Sequence, residues 1–307
     1  MFRNLRAYRL TGDWPETDQQ LDRKLGEFAF KPCARSAARS AGWDSPLPRE
    51  PGAEAGPLVF SLAGCNLLQL RIQTRLLPPA AINEALEDRL TEFARRTGRP
   101  PGRAEKKELK DSVAEALLPQ ALLRSERVRV LYLRKEQLLL VDTPTAATAE
   151  LVTERLRDAL GSLPIMPLEF RQPVGPWLEQ VFLGSGPPEF QATRECRLQE
   201  PGNTAASVTF ADLDLGDPNV QRHVRQGLII ERLGLTFDSV LGLTLDRDGV
   251  VRKLKLLDQA AEDLDVEAEA SAATRLDADL ALWSGLLQKL LRALKRQLGG
   301  YARASST

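Results

Sequence analysis

Residues 98–130 read GRPPGRAEKKELKDSVAEALLPQALLRSERVRV, and the parsing of this stretch decides the fold. Leu109, Val113, Ala116 and Leu117 recur at helical spacing, which predicts a helix over Arg103–Leu118. Pro119 ends it, because an interior proline removes a backbone donor and clashes with the preceding turn. Upstream, Leu77-Pro78-Pro79 opens a helix over Ala80–Thr97, proline being tolerated in a first turn. Ile82, Leu86, Leu90 and Phe93 form its apolar stripe. Gly98–Gly102 interrupts the two, so they read as an antiparallel helical hairpin projecting from a sheet. Apolar runs at Leu58–Ala63 and Leu67–Leu76 supply strands before it, around a turn at Gly64-Cys65-Asn66. Val128–Leu133 and Leu138–Asp142 supply strands after it, around Arg134–Gln137.

Outward from this centre the pattern is mixed. Asn4–Leu10 and Phe28–Cys33 read as strands, Thr17–Phe28 as a helix, and the Pro/Gly-rich Gly42–Pro57 as a loop. Thr145–Leu160 reads as a helix capped by Gly161. Pro164, Pro167, Pro173 and Pro176 mark a change of style, and a domain boundary is placed near Arg171. Beyond it come strands at Phe190–Leu198, Ser207–Leu213 and Leu228–Phe237, and a short helix at Pro218–Gln226. Val240–Leu245 and Val250–Leu257 flank Asp246-Arg247-Asp248-Gly249, where Asp-Gly supplies a hairpin turn. An acidic stretch, Asp258–Glu269, precedes a closing helix over Asp277–Leu298 that ends at Gly299-Gly300. The fold class is α+β, with antiparallel sheets and flanking helices.

The bulk composition narrows the function. The 307 residues carry 42 basic and 42 acidic side chains, so a polyanion partner must be argued from local clustering. Cys33, Cys65 and Cys196 are odd in number and share no metal or redox spacing, which fits a reducing compartment. The N-terminus has no signal-peptide run, and no apolar stretch reaches membrane-spanning length. The single histidine, His223, lies among arginines without a nucleophile elbow, and no phosphate-binding glycine loop or zinc-binding helix motif occurs. No catalytic residue, metal or cofactor is expected, and the weight moves towards a binding protein.

Between Arg95 and Glu136 twelve basic residues face six acidic ones. On the second helix Arg103, Lys106, Lys107 and Lys110 fall at i, i+3, i+4, i+7, one face distinct from the leucine stripe. Such a stripe suits a phosphate backbone. It also fits a merely solvated face with Glu–Lys pairs. A membrane-surface helix is the weaker alternative, since no aromatic anchors line the apolar side. Leu122 and Leu123, beyond the proline break, read as lying on a turn, either tucked into the core or offered to a partner. In the closing helix Leu280, Trp283, Leu286, Leu287 and Leu290 cover more than one stripe, to be buried in one domain or shared with a second copy.

Several segments in order, among them MFRNLRAYRL, FAFKPC with GW nine residues on, EKKELKDSVAEALLPQAL, LLLVDTPTAATAE and GLIIERLGLTFDSVLGLTLDRDGVVRKLKLLD, resemble the bacterial recombination-associated RdgC family over nearly the whole chain. The resemblance implies a non-enzymatic protein that binds duplex DNA with little sequence preference, sits in the cytoplasm on the nucleoid, and restrains recombination by the RecA strand-exchange protein. It implies a ring-shaped homodimer: a centre from residues 1–77 and 126–170, a helical finger or tip at 78–125, and a base at 171–307. The DNA contacts it implies, together with the basic clusters, are Arg95, Arg96, Arg99, Arg103, Lys106, Lys107, Lys110, Arg124 and Arg127. Arg222, Arg225, Lys253 and Lys255 are expected to share the load with Arg252. Gln120, Leu122 and Leu123 would form the finger contact, Leu122 standing where the family has a phenylalanine and Gln120 where an arginine is usual. Trp283, Leu286, Leu287 and Leu290 would form the base dimer contact. Asp212 and Leu213 occupy positions where the family has a basic residue and a polar or basic neighbour. A dimeric protein-binding scaffold with little or no DNA affinity is the competing reading.

Overall fold

The computed structural model describes residues 1–15, 17–47, 56–257 and 271–303. In chain order the elements are β1 (Arg6–Leu10), α1 (Asp18–Gly26), β2 (Arg39–Asp44), β3 (Phe60–Leu62), β4 (Cys65–Leu76), α2 (Pro79–Thr97), α3 (Arg103–Leu117), a 3-10 turn (Leu118–Gln120), β5 (Leu122–Leu133) and β6 (Leu138–Val141). They continue with α4 (Ala146–Leu160), β7 (Ile165–Pro167), α5 (Val174–Phe182), β8 (Phe190–Glu200), β9 (Asn203–Phe210), α6 (Pro218–Arg225), β10 (Ile229–Phe237), β11 (Leu241–Asp246), β12 (Val251–Leu256) and α7 (Ala272–Gln297). The class is α+β with antiparallel pairing. Two compact units form: Met1–Glu27 with Ser45–Leu68 and Arg129–Thr307, and Phe28–Asp44 with Gln69–Val128. The twelve-residue strands β4 and β5 each continue from one unit into the other.

In the first unit β5, β6, β1 and β7 are neighbours, and a second sheet has the order β12-β11-β10-β8-β9. One apolar cluster runs from Phe2 to Leu298 and takes in α5, the inner face of the five-stranded sheet and α7. Trp177 meets Phe190 edge-on at 5.0 Å, and Phe190 packs on Phe237 at 4.9 Å. The other face of that sheet is polar. Arg197 pairs with Glu231 at 2.7 Å, and Arg232 and Arg252 reach Asp246 at 3.3 and 2.7 Å, a ladder across four strands. Burial pushes the Asp246 carboxyl up from its ordinary value, against the pull of both guanidinium groups. Such a pair needs its partners, because a lone carboxylate held out of water is costly.

The second unit is built on β2, β4 and β5 with α2 and α3. Trp43, Leu70, Ile72, Leu86, Val113 and Val128 are among its buried side chains. The helices α2 and α3 contact each other, each burying one apolar residue, Leu86 and Val113. Gly98 closes α2 in the left-handed region at φ 71°, its N–H reaching the Ala94 carbonyl. That conformation costs a residue with a Cβ and suits glycine.

Local readings differ from the structure at five places. Arg39–Asp44 is a strand, including Gly42–Asp44, which the Pro/Gly count marked as loop. Phe28–Cys33 is not a strand, although Phe30 donates to the Trp43 carbonyl and Trp43 to that of Phe28. Gly42 is required there, since a Cβ would lie 2.5 Å from the Phe30 Cα. The β3–β4 turn is Ala63-Gly64, both at positive φ, which leaves Cys65 and Asn66 buried in β4. Leu122 and Leu123 begin β5 rather than lying on a turn. Helix α5 went unread among prolines, yet Pro173 is its N-cap and Pro176 falls in its first turn, where no intrahelical donor is lost. The acidic stretch Asp258–Glu269 lies outside the described residues.

Leu287 is fully buried in α7 whereas its neighbour Leu286 is only half-buried. Leu287→Ala is expected to lower unfolding free energy by about 2–5 kcal/mol in a urea titration, and Leu286→Ala by clearly less. Equal costs would show that the face carrying Leu286 is also covered in solution.

Candidate nucleic-acid interface

The charge of the chain is divided unevenly. The second unit has 15 basic and 10 acidic residues, net +5, so with a chain total of zero the first unit carries −5. The surplus comes from residues outside the two helices, among them Lys31, Arg35, Arg39, Arg71, Arg75 and Arg99. With four basic and four acidic residues α3 is itself neutral, and its distinction is that its cations share one face. Its exposed face holds Arg103, Lys106, Lys107 and Lys110, and among the described residues none of the four has an ion-pair partner. The amphipathic pattern explains this: Val113 and its neighbours turn towards α2, and the i, i+3, i+4, i+7 positions are left to water. Arg95 and Arg96 close α2, exposed and without ion pairs in the described residues, where cations complement the helix dipole.

Arg99 differs from these. Its guanidinium donates to both carboxylate oxygens of Glu105, at 2.8 and 2.6 Å, and lies 5.7 Å from the centre of the Phe93 ring. Glu105 in turn accepts from the Gly102 N–H at 2.7 Å, which is the N3 half of a capping box, glycine having no side chain to return the bond. The Arg99 guanidinium and this backbone donor hold the Glu105 carboxyl down at about 2. Glu105 was not singled out from sequence. The available signal was its place three residues after a glycine N-cap, ahead of an apolar run.

Other expected contacts lie along both units. In the second, Arg124 is exposed at the start of β5, and Arg127, also exposed, reaches Asp44 at 3.9 Å. Gln120 is exposed in the 3-10 turn. Leu122 is 77% exposed and Leu123 45%, so neither enters this chain's core. In the first unit, Arg222 and Arg225 are exposed on α6 and hydrogen-bond Asn219 and Gln221. Lys253 is tied to Glu195 at 2.6 Å, Arg252 belongs to the Asp246 ladder, and Lys255 is exposed on β12. Asp212 pairs with Arg194 at 2.6 Å, beside the 42% exposed Leu213. Trp283, Leu287 and Leu290 are buried in the chain's own core, which leaves Leu286, half-buried, as the accessible member of that set.

Nothing in the described residues assembles a metal-binding group of three or more His, Cys, Asp or Glu side chains. All three cysteines are buried, and burial pushes the Cys196 thiol up to about 12. No helix among the described residues is long and apolar enough to cross a membrane.

A family model described as "Putative exonuclease, RdgC" matches residues 1–301. The chain belongs to the RdgC family. Among its relatives, a recombination-associated protein RdgC of Shewanella baltica (strain OS223) is 32% identical over 304 residues, covering 99% of both chains. The protein of that name from Shewanella sp. (strain ANA-3) is 32% identical over 300 residues, 97% of each chain. That from Shewanella halifaxensis (strain HAW-EB4) is 30% identical over 303 residues, 97% of this chain and 98% of its own. The relatives are thus named for association with recombination, while the family model's description names an exonuclease.

The clamp on Glu105 has a measurable signature. A carboxyl whose folded pKa is depressed contributes stability above its ordinary value of 4.5 and loses it as pH falls towards 2. A carbon-detected NMR titration is expected to place the Glu105 midpoint near 2, and Arg99→Gln is expected to move it up towards the ordinary range. A midpoint indifferent to Arg99 would mean the pair is open in solution.

Proposed function

We propose that this RdgC-family chain binds duplex DNA through the phosphate backbone, without reading base sequence. The observation that carries this is the α3 stripe of Arg103, Lys106, Lys107 and Lys110, exposed and without ion-pair partners in the described residues. A cation already paired must break that pair to meet a phosphate, whereas an unpaired one only displaces condensed counterions. Arg95, Arg96 and Arg124 extend the surface within the same unit. In the first unit, Arg222, Arg225 and Lys255 are exposed candidates for phosphate contact in their own right, and Lys253 would first have to leave Glu195. Helix dipoles and lysines of this kind position a duplex without specifying its sequence.

The wider assignment follows the family. The chain acts as a ring-shaped homodimer around DNA, with a finger at 78–125, a centre at 1–77 and 126–170, and a base at 171–307. It works in the cytoplasm on the nucleoid and tempers RecA-dependent recombination. The exposed Leu122 and Leu123, with Gln120, are the finger's contact with a second copy. An apolar pair held at a strand start in water favours a protein partner. This same pair is what favours the competing reading, a dimeric scaffold without DNA affinity.

Fluorescence anisotropy with a labelled random-sequence duplex separates the two. If the four α3 cations each meet a phosphate, log affinity should fall against log salt with a slope of about −3.6 or steeper. Reversing Arg103, Lys106, Lys107 and Lys110 to glutamate should abolish binding while leaving the circular dichroism spectrum intact; undiminished binding would sink this interface. Leu122→Asp should lower the dimer fraction in sedimentation equilibrium, and an unchanged fraction would remove the finger contact from the model of assembly.

A further inference from the structure

We infer that Glu105 sets the strength of this chain's grip on duplex phosphate by holding Arg99 as an internal counter-ion, so that a phosphate must displace a carboxylate before it can use that arginine. The inference rests on the DNA-binding reading above and names a residue that tunes it.

The geometry makes the carboxylate a preorganised competitor. Both oxygens of Glu105 accept from Arg99, at 2.6 and 2.8 Å, in the two-pronged arrangement that a phosphate would otherwise receive. Glu105 is itself fixed by the Gly102 N–H at 2.7 Å. Arg99 is further tied by a hydrogen bond to the Pro100 carbonyl at 3.3 Å and by the Phe93 ring. Backbone constraints bring the two together: Gly98 turns the chain at φ 71°, and Pro100-Pro101 stiffen the step between the helices. Arg95, Arg96, Arg103, Lys106, Lys107 and Lys110 have no such tether among the described residues. Among the described residues of the basic cluster from Arg95 to Lys110, Arg99 is therefore the one cation with an ion-pair partner, at the head of the α3 stripe; Arg89, earlier on α2, pairs with Glu92. Glu105 stays ionised at every pH at which DNA binding is measured, since its carboxyl is held down at about 2. In the structure the clamp is closed. The pair is exposed to water and can be exchanged, so its effect is a graded one on affinity.

Glu105→Gln isolates the charge. Glutamine has the shape of glutamate and its carbonyl oxygen can still accept from the Gly102 N–H, so α3 keeps its start. The duplex anisotropy assay is run over a salt series on wild type, Glu105→Gln, Arg99→Gln and the double variant. Glu105→Gln is expected to bind a few-fold tighter at low salt and to steepen the log–log slope by about 0.9, one added phosphate contact. Arg99→Gln is expected to remove the added contact in the Glu105→Gln background. The inference is overturned if Glu105→Gln matches wild type in slope and affinity. It is equally overturned if Arg99→Gln lowers the slope by about 0.9 with Glu105 present, because Arg99 would then already be on phosphate. If neither wild type nor Glu105→Gln binds at the lowest salt, the DNA-binding reading falls and this inference with it. If wild type binds and Glu105→Gln is indistinguishable from it, only the role of Glu105 falls.

Discussion

The core of the first unit is closed from both ends of the chain, and most of the fold follows from that. Phe2 and Leu5 at the start, and Leu291, Leu294 and Leu298 near the end, lie in the same apolar cluster as the five-stranded sheet. The cluster is incomplete until α7 is in place, since Leu280, Trp283, Leu287 and Leu290 are among its members. The segment Gln69–Val128 must therefore leave that unit and return to it, and it does so along two strands, β4 and β5. Strands are suited to this, because a twelve-residue ladder can be buried at one end and open at the other. In β5 the burial runs from exposed at Leu122–Arg127 to buried at Val130–Leu133.

The two units treat their charges in opposite ways. In the first, the arginines of the five-stranded sheet are spent on one another's neighbours: Arg197, Arg232 and Arg252 share Glu231 and Asp246 across adjacent strands. That ladder fastens strands together, and its carboxylates are partly buried. In the second, a two-helix arrangement with little interior offers few buried sites for a carboxylate, and the lysines of α3 stay hydrated. The contrast separates basic residues that fasten strands on the sheet from those left to solvent on α3.

What could be read from sequence followed periodicity. The helical stripes of α2, α3 and α7 and the Asp-Gly hairpin between β11 and β12 lie where spacing and turn chemistry put them. The misreadings share a cause: a tertiary contact overrode local composition. Gly42 looks like a loop residue until Phe30 is seen lying against it, and Pro176 looks like a breaker until it is placed in a first turn. Trp283, Leu287 and Leu290 looked equally fit for a core or a partner, because a leucine-rich helix face does not say what covers it. For the candidate site, the exposure of the α3 stripe was legible as amphipathicity. The Arg99–Glu105 pair was not, since it depends on the path of Gly98–Gly102 between two helices.

The net +5 of the second unit also has a consequence for how its grip could be loosened. The chain's one histidine, His223, belongs to the first unit, so the second has no imidazole to gain or lose a proton near neutrality. Its surplus is made of lysine and arginine alone, and modest acidification leaves it in place. On the proposed reading, the unit would act as a bead of strong anion-exchange resin does, with a fixed capacity and with release governed by the ionic strength around it.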